Sequence, residues 1–348
     1  MKSMALTGIR RLEVREVPDP ALHSGRDVLV RVDRVGVCGS DIHYYTHGRI
    51  GAQVVQYPFT VGHECAGTVA EVGDAVERVR PGDRIAVEPA MSCGSCDQCR
   101  AGRAHTCRSI RFLGAPGQAE GGLSELIVVP EESCYPIAHG TSLDLAALSE
   151  PFSIGVYSVR LAGDVAGAHV AILGSGPIGL AVLAAARAAG VARVYVTDRI
   201  DGRLRIAREQ GASWVGNPDT SDVVGRILTL EPFGLDAVFE CCGKQEAVDQ
   251  AIDLLEPGGR LLMVGIPAED RISIAIDVAR RKEIDFQNVR RQNECVQTAL
   301  DLLESRRVNL DYMVTHRFPL ERAGEAFELV AGYRDGVIKA MIDVSGGR

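Results

Sequence analysis

No block of basic residues interrupts this 348-residue sequence, and its 38 Lys and Arg against 46 Asp and Glu leave a formal charge of −8. A mildly acidic chain without a basic stripe is a poor ligand for nucleic acid, so no nucleic-acid partner is expected. No long apolar run is present either. The only candidate for a membrane span, Val170 to Ala186, has 17 residues without a charge and is broken by Gly174-Ser175-Gly176-Pro177. It is short for a span and reads as a buried strand, a turn and the start of a helix. The first residues lack a leader pattern, because Arg10, Arg11 and Glu13 come before any long apolar stretch. Cytoplasm is therefore the expected location, with no membrane partner. Tandem repeats and low-complexity tracts are also missing. At 46% apolar and 24% charged the composition excludes a disordered or fibrous chain.

What the sequence does have is glycine and cysteine, 38 and 10 residues respectively. The length corresponds to roughly two domains, whose cores need no disulfide staples, so the cysteines call for another explanation. In a cytoplasmic chain they are more often metal ligands or buried thiols than disulfides.

The first 140 residues read as short strands and turns. Val28 to Val32 and Gly67 to Gly73 alternate, and Pro81-Gly82-Asp83 is a turn before a strand over Arg84 to Val87. This spacing suggests a barrel or sandwich. Beyond about residue 150 strand and helix signals alternate. Strands are expected at Val170 to Leu173, Val194 to Thr197, Asp236 to Glu240 and Arg260 to Val264, with a turn at Glu256-Pro257-Gly258-Gly259. Helices are expected at 178–189, Arg203 to Gln210, 295–305 and 320–332, and a last strand near Val337 to Val344. The alternation implies a parallel doubly wound sheet.

Gly174-Ser175-Gly176-Pro177-Ile178-Gly179 follows the first of these strands and opens a helix, and Asp198 ends the next strand 19 residues beyond Gly179. That context makes the G-x-G-x-x-G pattern a dinucleotide site. The first glycine permits a tight turn, the second lets the backbone approach the pyrophosphate, and the third lets the helix pack on the strand. The helix N-terminus favours the phosphate charge. Asp198 can accept hydrogen bonds from both ribose hydroxyls and repels a 2′-phosphate, which argues for NAD. Arg199 and Arg203 are placed to tolerate such a phosphate, and they argue less strongly for NADP.

Cys93, Cys96, Cys99 and Cys107 form C-x2-C-x2-C-x7-C in a polar stretch that could not bury a core. Four thiolates within 15 residues suit a closed tetrahedral zinc site, and an iron–sulfur cluster is the competing metal. A closed site has no open position, so its role is structural. Cys38 and, 25 residues later, His63-Glu64 supply a thiolate, an imidazole and a carboxylate. That set leaves room for an exchangeable ligand, as a catalytic zinc requires.

Cys38-Gly39-Ser40-Asp41, Gly62-His63-Glu64-Cys65-Ala66-Gly67, the four-cysteine stretch and the glycine turn occur in this order along the chain. That order resembles the medium-chain zinc-dependent alcohol dehydrogenase superfamily. Gly48-Arg49-Ile50-Gly51, the stretch Pro81 to Pro89, Glu150-Pro151-Phe152-Ser153-Ile154-Gly155 and Val314 to Leu320 look like its polyol branch, the sorbitol, L-iditol and xylitol dehydrogenases. The resemblance implies an α/β protein with a GroES-like β-barrel catalytic domain over 1–152 and 290–348. That domain would carry a structural-zinc lobe at 90–110, and a Rossmann domain would span 153–289.

It also implies two zinc ions per chain and NAD. Cys38, His63, Glu64 and Glu150 would serve the catalytic zinc, with Glu150 standing where simple alcohol dehydrogenases have a second cysteine. Cys93, Cys96, Cys99 and Cys107 would serve the structural zinc. Ser40 and His43 would pass the proton outward. Gly174, Gly176, Pro177, Ile178, Gly179, Asp198 and Arg203 would hold the cofactor, with Cys242, Gly243, Val264, Gly265, Ile266, Val289 and Arg290 toward its nicotinamide. Tyr44, Phe112, Glu150, Arg290 and Arg291 would touch the substrate, a small polyol.

The chain departs from the resemblance at Arg291, where a tyrosine is common. That change could favour another polyol length or an anionic substrate, or Arg291 could point away and pair with an acid. The resemblance leaves open an alcohol, threonine or sugar-acid substrate, and a dimer or tetramer. A zinc-free reductase would leave Cys38, His63, Glu64 and Glu150 without a purpose. A non-catalytic NAD-binding protein would have no need to keep them all.

Overall fold

The structure, a computed structural model, describes residues 1–346 apart from Ala268 and Asp270, so the last two residues of the expected catalytic segment, Gly347 and Arg348, lie outside it. The chain divides into two compact units: Met1–Glu150 with Val296–Arg348, and Pro151–Cys295. Among the described residues no helix is long and apolar enough to cross a membrane.

The first unit is built on the strand Asp27–Gly36, whose alternating valines Val28, Val30 and Val32 are buried. One edge of this strand pairs antiparallel with Glu64–Val72 along its length. The other edge is shared: Leu126–Pro130 takes residues 27–31 and Lys339–Asp343 takes residues 34–36. Arg84–Val87, Cys134–Pro136 and Val314–Pro319 complete a seven-stranded sheet. Its core gathers Val30, Val35, Val61, Ile85, Leu123, Phe327 and Ile342. The last strand of the sheet therefore comes from the far end of the chain.

The second unit is a six-stranded, wholly parallel sheet in the order Trp214–Gly216, Arg193–Thr197, His169–Leu173, Leu235–Glu240, Leu255–Met263, Asp285–Asn288. In sequence order this is 3-2-1-4-5-6, the doubly wound arrangement with a switch point beside its first strand. Val170 to Leu173 are all buried, as a central parallel strand requires. The helix Pro177–Ala188 follows with proline in its first turn and an alanine-rich buried face.

Several details depart from the sequence reading. Glu256 to Gly259 do not form a turn ahead of a strand but sit within the strand Leu255–Met263, whose register slips between Leu235 and Ala237 of its neighbour. Residues 290–295 stay with the nucleotide unit: the Val289 N–H bonds Met263 O, and Arg160 donates to Asn293 O. Residues 143–162 form one helix with Pro151 inside it. Proline removes one helical hydrogen bond, and this masks the helix in a reading by residue type. A short helix also covers Gly39–His47.

Candidate metal centres and nucleotide turn

Gly36 faces Glu64 across the antiparallel ladder, so Cys38 and His63 emerge together at that end of the sheet. Cys38 is the N-cap of the helix Gly39–His47, where helix N–H groups and the dipole favour a thiolate. Ligand atoms of Cys38, His63 and Glu64 all lie within 4.8 Å of one another. A Cβ on Gly36 would meet Glu64 Oε2 at 2.1 Å, so any larger residue there would displace the Glu64 carboxylate.

The surroundings are charged and buried. Asp41 is 1% exposed, accepts hydrogen bonds from the Cys38 and Gly62 N–H groups, and lies 3.5 Å from His63 Nδ1. Burial disfavours an imidazolium at His63, yet Asp41 and Cys38 outweigh it and raise its pKa well above the usual value. The groups that hold this proton would equally favour a metal cation in its place. Lys339 Nζ lies 2.6 Å from Glu64 Oε1 and donates to Val37 O as well. Glu64 Oε2 is buried with no hydrogen-bond partner. A thiolate, an imidazole and an orphaned carboxylate oxygen fit zinc.

Glu150 is not in this compact group, but it is buried on the helix Leu143–Ala162. Burial first, then the negative charges of Glu64 and Glu88, push its pKa up to about 8 against the opposing pull of His63 and Lys339. Of the expected substrate and relay residues in this unit, Ser40, His43 and Tyr44 share the helix begun by Cys38. Tyr44 Oη donates to Gln53 Oε1, and the Phe112 ring lies 5.3 Å from that of His63.

The four-cysteine lobe is compact. Sulfur–sulfur separations are 4.0 Å for Cys93 and Cys99, 3.5 Å for Cys96 and Cys99, and 3.9 Å for Cys96 and Cys107. A tetrahedral zinc with its usual zinc–sulfur bonds sets these near ~3.8 Å. Backbone N–H groups of Cys93 and Ser109 point at Cys107 Sγ. Those of Ser95 and Cys96 lower the Cys93 pKa to about 6. Cys96 is lowered too, by backbone N–H groups, whereas burial and the neighbouring cysteines push the Cys99 thiol up to about 11.

In the second unit Gly174 has φ +100°, and a Cβ on Gly179 would lie 1.8 Å from Gly174 O. Both positions therefore require glycine. Asp198 Oδ2 accepts from Ser175 N and Oγ, and Oδ1 accepts from Ile200 N, so the acid ties the turn to the second strand. Arg203 stands over Gly176, 3.3 Å from where its Cβ would be. The turn, the helix N-terminus and the strand-tip acid form a cradle that fits a dinucleotide.

Glu240 is fully buried, and its carboxylate accepts from the N–H groups of Cys242 and Gly243. Its carbonyl accepts from those of Val264 and Gly265, so one residue pins both expected nicotinamide segments. Ile266 is 53% exposed, Arg290 is exposed, and Arg291 is half-buried at φ +54°. Cys242 is exposed and Cys241 only partly buried, whereas Cys65, Cys134 and Cys295 are buried thiols. Sequence reading missed Asp41, Glu240 and Lys339 as supports of the two sites. The helix-capping position of Asp41 was visible locally; the other two carried no signal.

Residues 24–139 match the alcohol dehydrogenase GroES-like domain, and residues 177–305 match the zinc-binding dehydrogenase family. The chain is 34% identical over 343 residues to the sorbitol dehydrogenase of Bacillus subtilis (strain 168), covering 98% of this chain and 97% of that one. It is 34% identical over 347 residues to the L-idonate 5-dehydrogenase of Vitis vinifera, covering 97% and 93%. A solved structure from Sinorhizobium meliloti 1021, classed as a zinc-binding dehydrogenase and bound to NADP, superposes with a TM-score of 0.91 at 32% identity over 99% of both chains. The chain belongs to the medium-chain zinc-dependent alcohol dehydrogenase superfamily, in its polyol branch.

Proposed function

We propose that this protein is a zinc- and NAD-dependent polyol dehydrogenase that moves hydride from a secondary hydroxyl of an alditol to the cofactor, giving the ketose. The observation that carries the reading is the compact Cys38, His63 and Glu64 group, with Glu150 buried in the same unit. Cys38 and His63 hold the metal, and Asp41 fixes the imidazole from behind. Glu64 supplies the exchangeable oxygen while Lys339 keeps its other oxygen engaged. Zinc bound there supplies Lewis acidity that lowers the pKa of a hydroxyl group. A carboxylate at Glu150, in place of a thiolate, makes the donor set harder and better suited to sharing a metal with polyol oxygens. Ser40 and His43, on the helix that Cys38 caps, carry the released proton outward. Tyr44 and Phe112 shape the substrate side. The second unit binds NAD through the glycine turn, Asp198 and Arg203.

The four-cysteine lobe holds a second, structural zinc, for two per chain. The reading includes a cytoplasmic dimer or tetramer, the usual habit of the superfamily. A second substrate reading, a sugar acid, is favoured by Arg291 beside Arg290. The test is turnover of sorbitol, xylitol, threitol, galactitol, threonine, 2,3-butanediol and L-idonate, each with NAD and NADP, together with zinc analysis. Alditol oxidation with NAD, and loss of both activity and one zinc in Cys38→Ala, support the reading. Full activity in Cys38→Ala overturns it.

A further inference from the structure

Arg199 directly follows the acid at the strand tip, and the function proposed above does not use it. A guanidinium beside the adenosine ribose would attract a 2′-phosphate, in conflict with the NAD preference that Asp198 imposes. The structure shows where that guanidinium goes. Arg199 Nε lies 2.7 Å from Asp219 Oδ2, on the loop after the strand Trp214–Gly216. Asn217 fixes both ends of this pair. Its Nδ2 donates to Arg199 O and to Asp201 Oδ1, and its Oδ1 accepts from the Asp219 N–H. Arg203, the other arginine of the region, is placed over Gly176 instead. The pair is therefore preorganised by its loop, although both partners reach solvent.

We propose that Asp219 is a cofactor-specificity residue: it holds the Arg199 side chain away from the ribose and thereby blocks a ready-made 2′-phosphate contact. The proposal rests on the reading that NAD binds with its ribose at Asp198. Asp219 acts in two ways, by occupying Arg199 and by adding negative charge to the neighbourhood, and the two are separable. An Asp219→Asn variant releases Arg199. Asp219→Asn combined with Arg199→Ala removes the charge of Asp219 without supplying the phosphate contact. Arg199→Ala alone removes a group already engaged elsewhere.

The experiment measures dissociation constants of NADH and NADPH by titrating reduced-nicotinamide fluorescence, with kcat/KM for NAD and NADP on the same preparations. Taking ratios within one preparation cancels partial loss of folded protein. Asp219→Asn is expected to shift both ratios toward the phosphorylated cofactor by about three- to tenfold, the scale of one charge-assisted contact in water. Arg199→Ala is expected to leave the wild-type ratio within about twofold, and to abolish the shift in the double variant. An unchanged ratio in Asp219→Asn overturns the proposal while a wild-type preference for NAD keeps the functional reading intact. A shift that survives in the double variant overturns the role given to Arg199. Wild-type preference for NADPH overturns the proposal and the assignment of Asp198 together.

Discussion

Replacing Lys339 by Met is the sharpest test of the charge balance around the Cys38, His63 and Glu64 group. Lys339 and Glu64 are each 1% exposed and 2.6 Å apart. At an effective dielectric of 20 their attraction is about 6 kcal/mol. The substitution also removes a hydrogen bond to Val37 O, worth about 1 kcal/mol. Against this stands the relief of no longer burying an ammonium, several kcal/mol in practice, so the net cost to zinc-free protein is about 3–5 kcal/mol. Met fills nearly the same volume, so little of the loss comes from a cavity. For a unit of this size that cost corresponds to a fall in Tm of roughly 6–20 °C.

Far-UV circular dichroism of chelator-treated protein reads this transition. Trp214, the only tryptophan, lies in the other unit and serves as an internal control through its fluorescence. Adding zinc should recover much of the loss, because the metal then supplies the Glu64 carboxylate with a positive charge in place of the lost ammonium. A loss below about 1 kcal/mol in the zinc-free variant, or an equal loss with and without zinc, refutes this account of the pair.

Cys107→Ser should lower the zinc content by one per chain and, by loosening the lobe, speed trypsin cleavage after the already exposed Arg100 and Arg103, read by mass spectrometry of the first fragments; full zinc content would contradict the lobe assignment. Gly179→Ala places a methyl where Gly174 O stands, which costs about 1–3 kcal/mol of packing and should weaken NADH binding at least about tenfold by fluorescence titration. Glu231 is buried, which opposes its charge, but hydrogen bonds from Tyr195 and His169 and the charge of Arg193 outweigh burial and hold its pKa below the usual carboxylate value. Its stabilisation is therefore complete above the unfolded pKa of about 4.3 and is lost as pH falls through the lower folded value. Glu231→Gln should flatten the acid-side loss of stability followed by Trp214 fluorescence, and an unchanged acid limb would contradict this.

Both sites were legible where their signals are local. The spacing of Cys93, Cys96, Cys99 and Cys107, and the glycines around Pro177, encode their own geometry within a few residues. The doubly wound sheet was legible from its four central strands, which are short apolar runs, whereas the edge strands Trp214–Gly216 and Asp285–Asn288 were not anticipated. Support from distant residues was not. Lys339 is 275 residues from Glu64, and only the pairing of Lys339–Asp343 with Asp27–Gly36 brings it near. Glu240 reads as an ordinary strand residue until its carboxylate is seen holding Cys242 and Gly243. The helix around Glu150 was hidden by Pro151, and the strand through Glu256 to Gly259 by residues that normally mark turns.

The divided first unit has a consequence for biosynthesis. Pro151–Cys295 is contiguous and can fold as soon as it leaves the ribosome, whereas the sheet of the first unit stays open at the Gly36 end until residues 339–343 are made. Glu64 is consequently a buried-to-be carboxylate that waits through 275 residues of synthesis for its ammonium partner. Closure of the sheet around Glu64 is thus a late event in the making of the chain.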